Sequence, residues 1–325
     1  MKAMLCTEYG PPEKLALTDV PSEDPGKGQI KIGVKAAGVN FPDVLIIKGE
    51  YQFKPTPPFA PGAEVSGNVL AVGEGVTDFQ PGDRVIGMTG WNGFAEEVIV
   101  DATRCLKMPT SMSYETGAAF SMTYGTSYHA LVQRGRLAKG ETLLVLGATG
   151  GVGTAAIEIG RLLGAKIIAA GGDDTKLDVV KREYGVEHVV NYRTGSLKDQ
   201  VKTLTNGQGA DVIYDAVGGD LFEQSLRSIN WDGRLLVVGF ASGTIPQAKA
   251  NLVLLKGCAI VGVFWGAFTA REPAVNRQNF AQLFRWHDEG KLKPHISHRF
   301  PLARAADALA AIVNRQVVGK AILTI

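Results

Sequence analysis

The chain has 325 residues, 45% of them hydrophobic, which is long enough for two domains each with its own core. Its 34 basic and 32 acidic residues leave a formal charge of +2 and form no basic block or aromatic–basic interleaving, which argues against a nucleic-acid surface. Cys6, Cys105 and Cys258 lie far apart with no Cys-x-x-Cys pair, which argues against a disulfide framework or zinc knuckle and fits a reducing compartment.

The N-terminus reaches Glu8 before any signal-peptide core could form, and the apolar stretches fall short of a membrane span, so a soluble, cytoplasmic protein is expected. Up to about residue 109, short β-branched runs at 29–34, 64–72, 84–86 and 95–100 alternate with Gly, Pro and Asp. They predict a small, mostly antiparallel β domain. Helical punctuation follows over 113–132, with Ser113 as the N-cap of a turn through Ala118. Then the pattern changes. Strand-like runs at 142–146, 166–170, 188–191, 210–214 and 234–239 alternate with helical ones at 152–163, 175–184, 197–204 and 220–228. That is the βαβ order of a parallel sheet covered on both faces. The run 258–264 can add a sixth strand, 274–289 reads as a helix, and 295–325 supplies strand, helix, strand in the texture of the first domain. The expected organisation is a β-rich domain of residues 1–122 and 265–325 with a dinucleotide-binding domain, 123–264, inserted in it. The cleft between the two is the natural substrate site.

Residues 143–153, Leu-Leu-Val-Leu-Gly-Ala-Thr-Gly-Gly-Val-Gly, are the most informative stretch. An apolar strand feeds a glycine-rich turn that opens a helix, the order a dinucleotide pyrophosphate needs. Gly150 lets the backbone approach the phosphates, Gly153 lets helix and strand pack closely, and the helix N-terminus faces the anion. Ala148 stands where the usual Gly-x-Gly-x-x-Gly has its first glycine.

Further segments are Ala37-Gly38-Val39-Asn40-Phe41-Pro42-Asp43, Gly49-Glu50-Tyr51, Pro61-Gly62-Ala63-Glu64-Val65-Ser66-Gly67, Pro81-Gly82-Asp83-Arg84-Val85 and Gly93-Phe94-Ala95-Glu96. Asn191-Tyr192-Arg193, Asp215-Ala216-Val217-Gly218-Gly219 and Gly319-Lys320 complete the set. In their order and spacing the chain resembles the zinc-independent quinone oxidoreductases of the medium-chain dehydrogenase/reductase superfamily over essentially its whole length. The resemblance implies an α/β fold, a Rossmann doubly wound parallel-sheet domain inserted in a β-rich GroES-like catalytic domain. It also implies hydride transfer from NADPH to a quinone or an activated, electron-poor carbonyl or alkene. Zinc alcohol dehydrogenases of that superfamily carry a ligating cysteine where this chain has Asn40 and a ligating histidine where it has Ala63. Neither an amide nor a methyl can replace a thiolate and an imidazole at zinc. The four-cysteine lobe is missing too, and His295-x-x-His298 has no third ligand nearby, so no metal is expected. Without zinc to stabilise an alkoxide, alcohol oxidation is disfavoured.

By the same resemblance, Asn40, Tyr51 and Thr126 are the candidate catalytic residues. Asn40 is either a donor to the developing oxyanion or a turn-closing amide, Tyr51 a proton donor or a packed cleft-wall aromatic, and Thr126 a nicotinamide neighbour or an ordinary helix residue. Asp43 and Glu64 match acids beside the zinc of the relatives and are expected to pair with bases or cap backbone here. The cofactor residues implied are Ala148, Thr149, Gly150, Gly151 and Val152 in the turn, Gly171, Gly172, Asp173 and Lys176 after the second strand, and Tyr192, Gly239, Phe240, Phe264 and Lys320. A glycine in place of the ribose-binding acid, followed by Lys176 and Tyr192, suits the 2′-phosphate of NADPH; Asp173 departs from that pattern and keeps NADH open. The apolar run 258–265 at a sheet edge predicts a homodimer, as the resembling family forms. Two rival readings stand beside quinone reduction. One is an enoyl-thioester or alkenal reductase; the other is a nucleotide-binding protein with a structural or regulatory role and little turnover.

Overall fold

Residues 1–325 are all described by the computed structural model, and they divide into two units, Met1–Met122 with Ile296–Ile325, and Thr123–His295. The first unit contains β1 (Lys2–Leu5), β2 (Ala16–Asp19), β3 (Gln29–Val39), α1 (Phe41–Ile47), β4 (Glu64–Val72), β5 (Arg84–Met88), β6 (Glu97–Asp101), β7 (Cys105–Lys107) and α2 (Tyr114–Ala118). Helix α3 (Ser121–Tyr128) carries the chain into the second unit. There β8 (Thr142–Leu146), α4 (Gly151–Leu162), β9 (Lys166–Gly171), α5 (Asp174–Tyr184), β10 (His188–Asn191), α6 (Leu197–Leu204), β11 (Ala210–Asp215), α7 (Leu221–Ser228) and β12 (Ile229–Val237) alternate. They are followed by α8 (Ala250–Lys256), β13 (Ala259–Gly262), α9 (Trp265–Arg271) and α10 (Pro273–Asp288). The chain then returns to the first unit as β14 (Ile296–Pro301), α11 (Ala305–Val313) and β15 (Lys320–Thr324).

A seven-stranded sheet of order β14-β15-β3-β4-β5-β7, with β6 also on β3, forms the first unit and is antiparallel except for the β14–β15 pair. Ile30, Ile32, Val65, Val69 and Val85 from its strands share a core with Ala305, Ala308 and Leu309, the i, i+3, i+4 stripe of α11. The return of the chain is thus built into the core, because β15 pairs with β3.

The second unit is a six-stranded, wholly parallel sheet of order β10-β9-β8-β11-β12-β13. This is the doubly wound Rossmann order, and the winding reverses between β8 and β11. Leu143, Leu144, Val145 and Leu146 of β8 have no exposed surface, as a central strand covered on both faces requires.

The unit boundary on the return differs from the sequence reading. Residues 265–295 stay with the Rossmann sheet, and the return begins at Ile296 instead of 265. The reason is the packing of α9 and α10: Trp265 is buried, its Nε1 donates to Asn276 Oδ1 at 3.2 Å, and its ring meets Phe280 at 6.3 Å. Gln133 Nε2 donates to Asn279 Oδ1 at 2.9 Å from the π-helical turn His129–Arg134 that follows α3. No helix is long and apolar enough to cross a membrane.

One buried acid sits inside α4. Glu158 accepts the Tyr124 hydroxyl on Oε2 and the Lys293 backbone N–H on Oε1 at 2.8 Å. Burial pushes its carboxyl up to about 7, against the pull of the Tyr124 and Lys293 hydrogen bonds. The native state therefore holds this proton more tightly than the unfolded chain. The stability it contributes is complete below the ordinary glutamate range and is lost as pH rises through about 7. Glu158→Gln is expected to gain on the wild type by about 2–3 kcal/mol between pH 5 and pH 8. Thermal unfolding of both proteins at the two pH values checks this; a constant difference would show that Glu158 does not titrate in the fold.

Candidate active site

In the first unit, the end of β3, the start of β4 and the start of β15 converge on one buried cluster. Gly38 makes room for it: a Cβ there would lie 2.4 Å from Glu64 Oε1 and 2.1 Å from the Ala118 carbonyl oxygen. Asn40 follows as the N-cap of α1, and Asp43 Oδ2 accepts its backbone N–H at 2.8 Å while Oδ1 accepts that of Gly62 at 3.2 Å. Two acids are thereby held beside Asn40. Lys320 Nζ donates to Glu64 Oε1 at 2.7 Å, to Asn40 Oδ1 at 2.7 Å and to the Val39 carbonyl oxygen at 3.2 Å. Glu64 Oε1 also accepts Asn40 Nδ2 at 3.0 Å, and its Oε2 accepts Ser121 Oγ at 2.7 Å and the Met122 backbone N–H at 2.8 Å. Burial pushes Asp43 up to about 7, against the Asn40 backbone hydrogen bond and the Lys320 charge.

These contacts decide what each group has left to offer. The ammonium of Lys320 has three protons and three acceptors. The Asn40 amide directs its protons to Glu64 and, at 3.4 Å, to the Gly38 carbonyl oxygen. Asp43 caps backbone and Glu64 pairs with a base, the uses expected of them from the sequence. Tyr51, just beyond α1, is half-buried beside Phe53 at 6.0 Å, and its hydroxyl enters none of these bonds. Burial, helped by the charge of Asp43, raises its pKa, so it stays a protonated donor.

Thr126 lies on α3 and is half-buried. In the second unit the glycine turn follows β8 directly, with Gly147 at φ +68° and Gly150 as the N-cap of α4. A Cβ on Gly153 would lie 2.2 Å from the Gly147 carbonyl oxygen, so the close helix–strand approach leaves no alternative residue. At Gly150 the nearest atom would be 3.5 Å away, which leaves that backbone open. Ala148, Thr149, Gly150, Gly151 and Val152 thus occupy the carboxyl end of β8. Gly171 ends β9 and Gly172 follows it, and the Tyr192 N–H reaches back to the Gly171 carbonyl oxygen at 3.1 Å. Gly239 and Phe240 follow β12, and Phe264 follows β13 and is half exposed. All of these lie at the carboxyl edge of one parallel sheet, where this fold holds its ligands.

Two of the expected cofactor residues also make hydrogen bonds within their own units. Asp173 is the N-cap of α5, and its Oδ1 accepts the Lys176 N–H at 3.1 Å. Lys320 belongs to the first unit's buried cluster. A residue of that edge not singled out as a cofactor group is Asp215, whose Oδ1 accepts the N–H groups of Val217 and Gly218 at 2.9 and 2.8 Å and so shapes the turn after β11. The run Asp215-Ala216-Val217-Gly218-Gly219 held that signal.

The family model described as "Zinc-binding dehydrogenase" matches residues 151–286, and that described as "Alcohol dehydrogenase GroES-like domain" matches residues 26–110. The chain is 40% identical over 326 residues to a quinone oxidoreductase-like protein 2 homolog of Nematostella vectensis, covering 99% of this chain and 88% of that one. The chain belongs to the quinone oxidoreductase family of the medium-chain dehydrogenase/reductase superfamily. It is an oxidoreductase. A mycobacterial structure complexed with NADPH superposes with a TM-score of 0.93 at 30% identity, covering all of both chains. The CurK enoyl reductase does so with a TM-score of 0.90 at 25% identity, covering 99% of each.

The zinc in the first family's description does not fit this donor set. At the ligand positions stand an amide and a methyl, and the carboxylate beside them is already bonded to an ammonium. A zinc ion there would meet the positive charge of Lys320. The cluster's integrity rests on that ammonium, so Lys320→Met, which strands the Glu64 charge, should cost about 3–5 kcal/mol of stability. Adding Glu64→Gln should restore most of the loss. Denaturant unfolding of the two variants tests this; equal losses would show that the charge pair is not what Lys320 supplies.

Proposed function

We propose that this chain is an NADPH-dependent quinone oxidoreductase that works without a metal, reducing a quinone or a similarly electron-poor carbonyl or alkene. The observation that carries the reading is the Lys320–Glu64–Asn40 cluster, which puts a fully engaged ammonium where a zinc enzyme needs an open Lewis acid. NADPH supplies the hydride when bound. The glycine turn and the N-terminus of α4 hold its pyrophosphate, and Thr126 borders its nicotinamide. The Tyr51 phenol donates to the oxygen on which charge develops. Asn40, locked by Lys320 and Glu64, fixes the backbone that precedes α1. Quinones and enones need no more help than this, because their accepting carbon is already electrophilic.

The likeness to an enoyl reductase favours one second reading, reduction of an enoyl thioester or alkenal by the same hydride geometry. A steady-state panel of benzoquinones, naphthoquinones, enals and acyl-CoA thioesters separates the two. Under the first reading quinones give the highest kcat/KM; thioesters giving it would replace that reading by the second. For the best substrate, Tyr51→Phe should lower kcat by about 10²-fold, the worth of one donor to the oxyanion, with NADPH affinity unchanged. An unchanged kcat removes Tyr51 from the chemistry.

NADPH is favoured over NADH by the grouping of Gly171, Lys176 and Tyr192 and by the engagement of Asp173 as a helix cap, which turns its carboxylate toward the start of α5. Lys176→Ala should weaken NADPH by about tenfold and leave NADH unaffected, as the loss of one charge-assisted contact does. Isothermal titration with both nucleotides measures it; a wild type that binds NADH more tightly than NADPH, with Lys176→Ala silent, would make Asp173 a ribose ligand and the enzyme NADH-dependent.

We also propose a homodimer in a reducing, cytoplasmic compartment. β13 is the edge of its sheet, and Leu254, Leu255 and Trp231 near it are 79%, 70% and 74% exposed. A free edge beside so much apolar surface invites a second copy. Light scattering at micromolar concentration should give twice the chain mass; a monomer rejects the dimer.

A further inference from the structure

The neighbours of Thr126 on α3 carry an arrangement that the reaction as proposed does not use. Tyr124 donates its hydroxyl to Glu158, in the middle of α4. Gly125 lies flat against the indole of Trp265, where a Cβ would come within 2.5 Å of the ring. Ser127 Oγ lies 2.8 Å from the Val152 carbonyl oxygen, in the first turn of α4, and 3.0 Å from the Tyr214 hydroxyl of β11. Thr126, half-buried, is the one residue of the four whose side chain enters none of these contacts.

The direction of the Ser127 bonds follows from counting protons. A serine hydroxyl has one, and the Val152 carbonyl can only accept, so Ser127 donates there. Tyr214 is therefore the donor into Ser127 Oγ. Both side chains are fully buried, so water cannot replace either partner. Val152 belongs to the same turn as Gly150 and Gly151, which open α4 toward the nucleotide. The chain Tyr214–Ser127–Val152 thus ties the residue next to Thr126 to the turn that receives the pyrophosphate, while Tyr124–Glu158 pins the same helix lower down α4.

We propose that Ser127, oriented by Tyr214, is a positioning residue that fixes Thr126 relative to the dinucleotide turn, and so sets the placement of the nicotinamide. The inference rests on the reading of Thr126 as a nicotinamide neighbour of bound NADPH. The Ser127 bond ends on a carbonyl oxygen of the turn and takes none of the N–H groups that face an anion at the helix N-terminus, so Ser127 would act on geometry and not on affinity. A displacement on the order of 1 Å at a reacting centre costs about 10²-fold in rate.

A double-mutant cycle of Ser127→Ala and Thr126→Val tests it, with two readouts: kcat for the best substrate, and the nicotinamide fluorescence of bound NADPH at saturation. Each single variant should lower kcat by roughly tenfold or more and shift the bound fluorescence, with the NADPH Kd changed by no more than about threefold. Because Ser127 acts only through Thr126, the double variant should be no worse than Thr126→Val alone. Losses that multiply, or a Kd that moves as much as kcat, would overturn the proposal. Should Ser127→Ala fail to fold, Tyr214→Phe takes its place in the cycle, with the same two outcomes. If no substrate in the panel is reduced, quinone reduction fails as the function, and the fluorescence cycle alone decides the positioning role. Absence of NADPH binding overturns both.

Discussion

An ammonium and a carboxylate taken out of water together cost several kcal/mol per ion unless every hydrogen bond each can make is made. Lys320 and Glu64 meet that condition. Three oxygens receive the three ammonium protons, and both carboxylate oxygens accept two donors each. Asp43 is the remaining charge nearby, and burial pushes it up to about 7, so that near neutral pH it is partly protonated and the cluster approaches neutrality. A second fully ionised carboxylate would leave the ammonium outnumbered in a place with no solvent to compensate.

This pair also explains why the first unit can be discontinuous in sequence. Lys320 comes from the returning strand β15, Glu64 from the start of β4 and Asn40 from the end of β3, while Ser121 and Met122 stand where the chain leaves for the second unit. One buried charge pair therefore closes the unit around the departure and the return of the chain. The β15–β3 ladder supplies cohesion along the sheet, and the ion pair fixes which residues face one another at its end. Apolar packing alone tolerates small slips in such a junction; a network with every polar atom committed does not.

What the sequence made legible follows from how local each signal is. The turn at 147–153 is dictated by backbone approach, so residue type at fixed spacing announces it, and the parallel sheet follows from runs that are apolar throughout. The Lys320–Glu64 pair was not legible, because the partners are 256 residues apart and no local pattern joins them. Asp173 turned on a single residue: a helix read as starting at 175 in fact starts at Asp174, which makes Asp173 the N-cap and gives its carboxylate a backbone partner. That α10 stays with the second unit was not legible, because the stripe that meets α9 and the turn after α3 includes Asn276 and Asn279 beside Phe280 and Leu283, and asparagines do not announce a buried face. Ser127 had no sequence signal at all. A serine inside a helix is ordinary until its two partners, on other elements, are seen.

An ammonium bonded to Glu64 and Asn40 has a chemical consequence beyond stability. A zinc ion with an open position stabilises an alkoxide directly and so supports alcohol oxidation. Lys320 offers no such position, since its charge is matched by Glu64 and its protons are spent. In the proposed function the donor to the oxyanion is then neutral: the Tyr51 phenol, kept protonated by burial. A neutral donor stabilises a developing oxyanion only in part, and that is enough only when the acceptor is itself electron-poor. Under the proposed function, the same arrangement that satisfies the buried pair would select against unactivated carbonyls and alcohols, so that one group of side chains would serve both stability and substrate class.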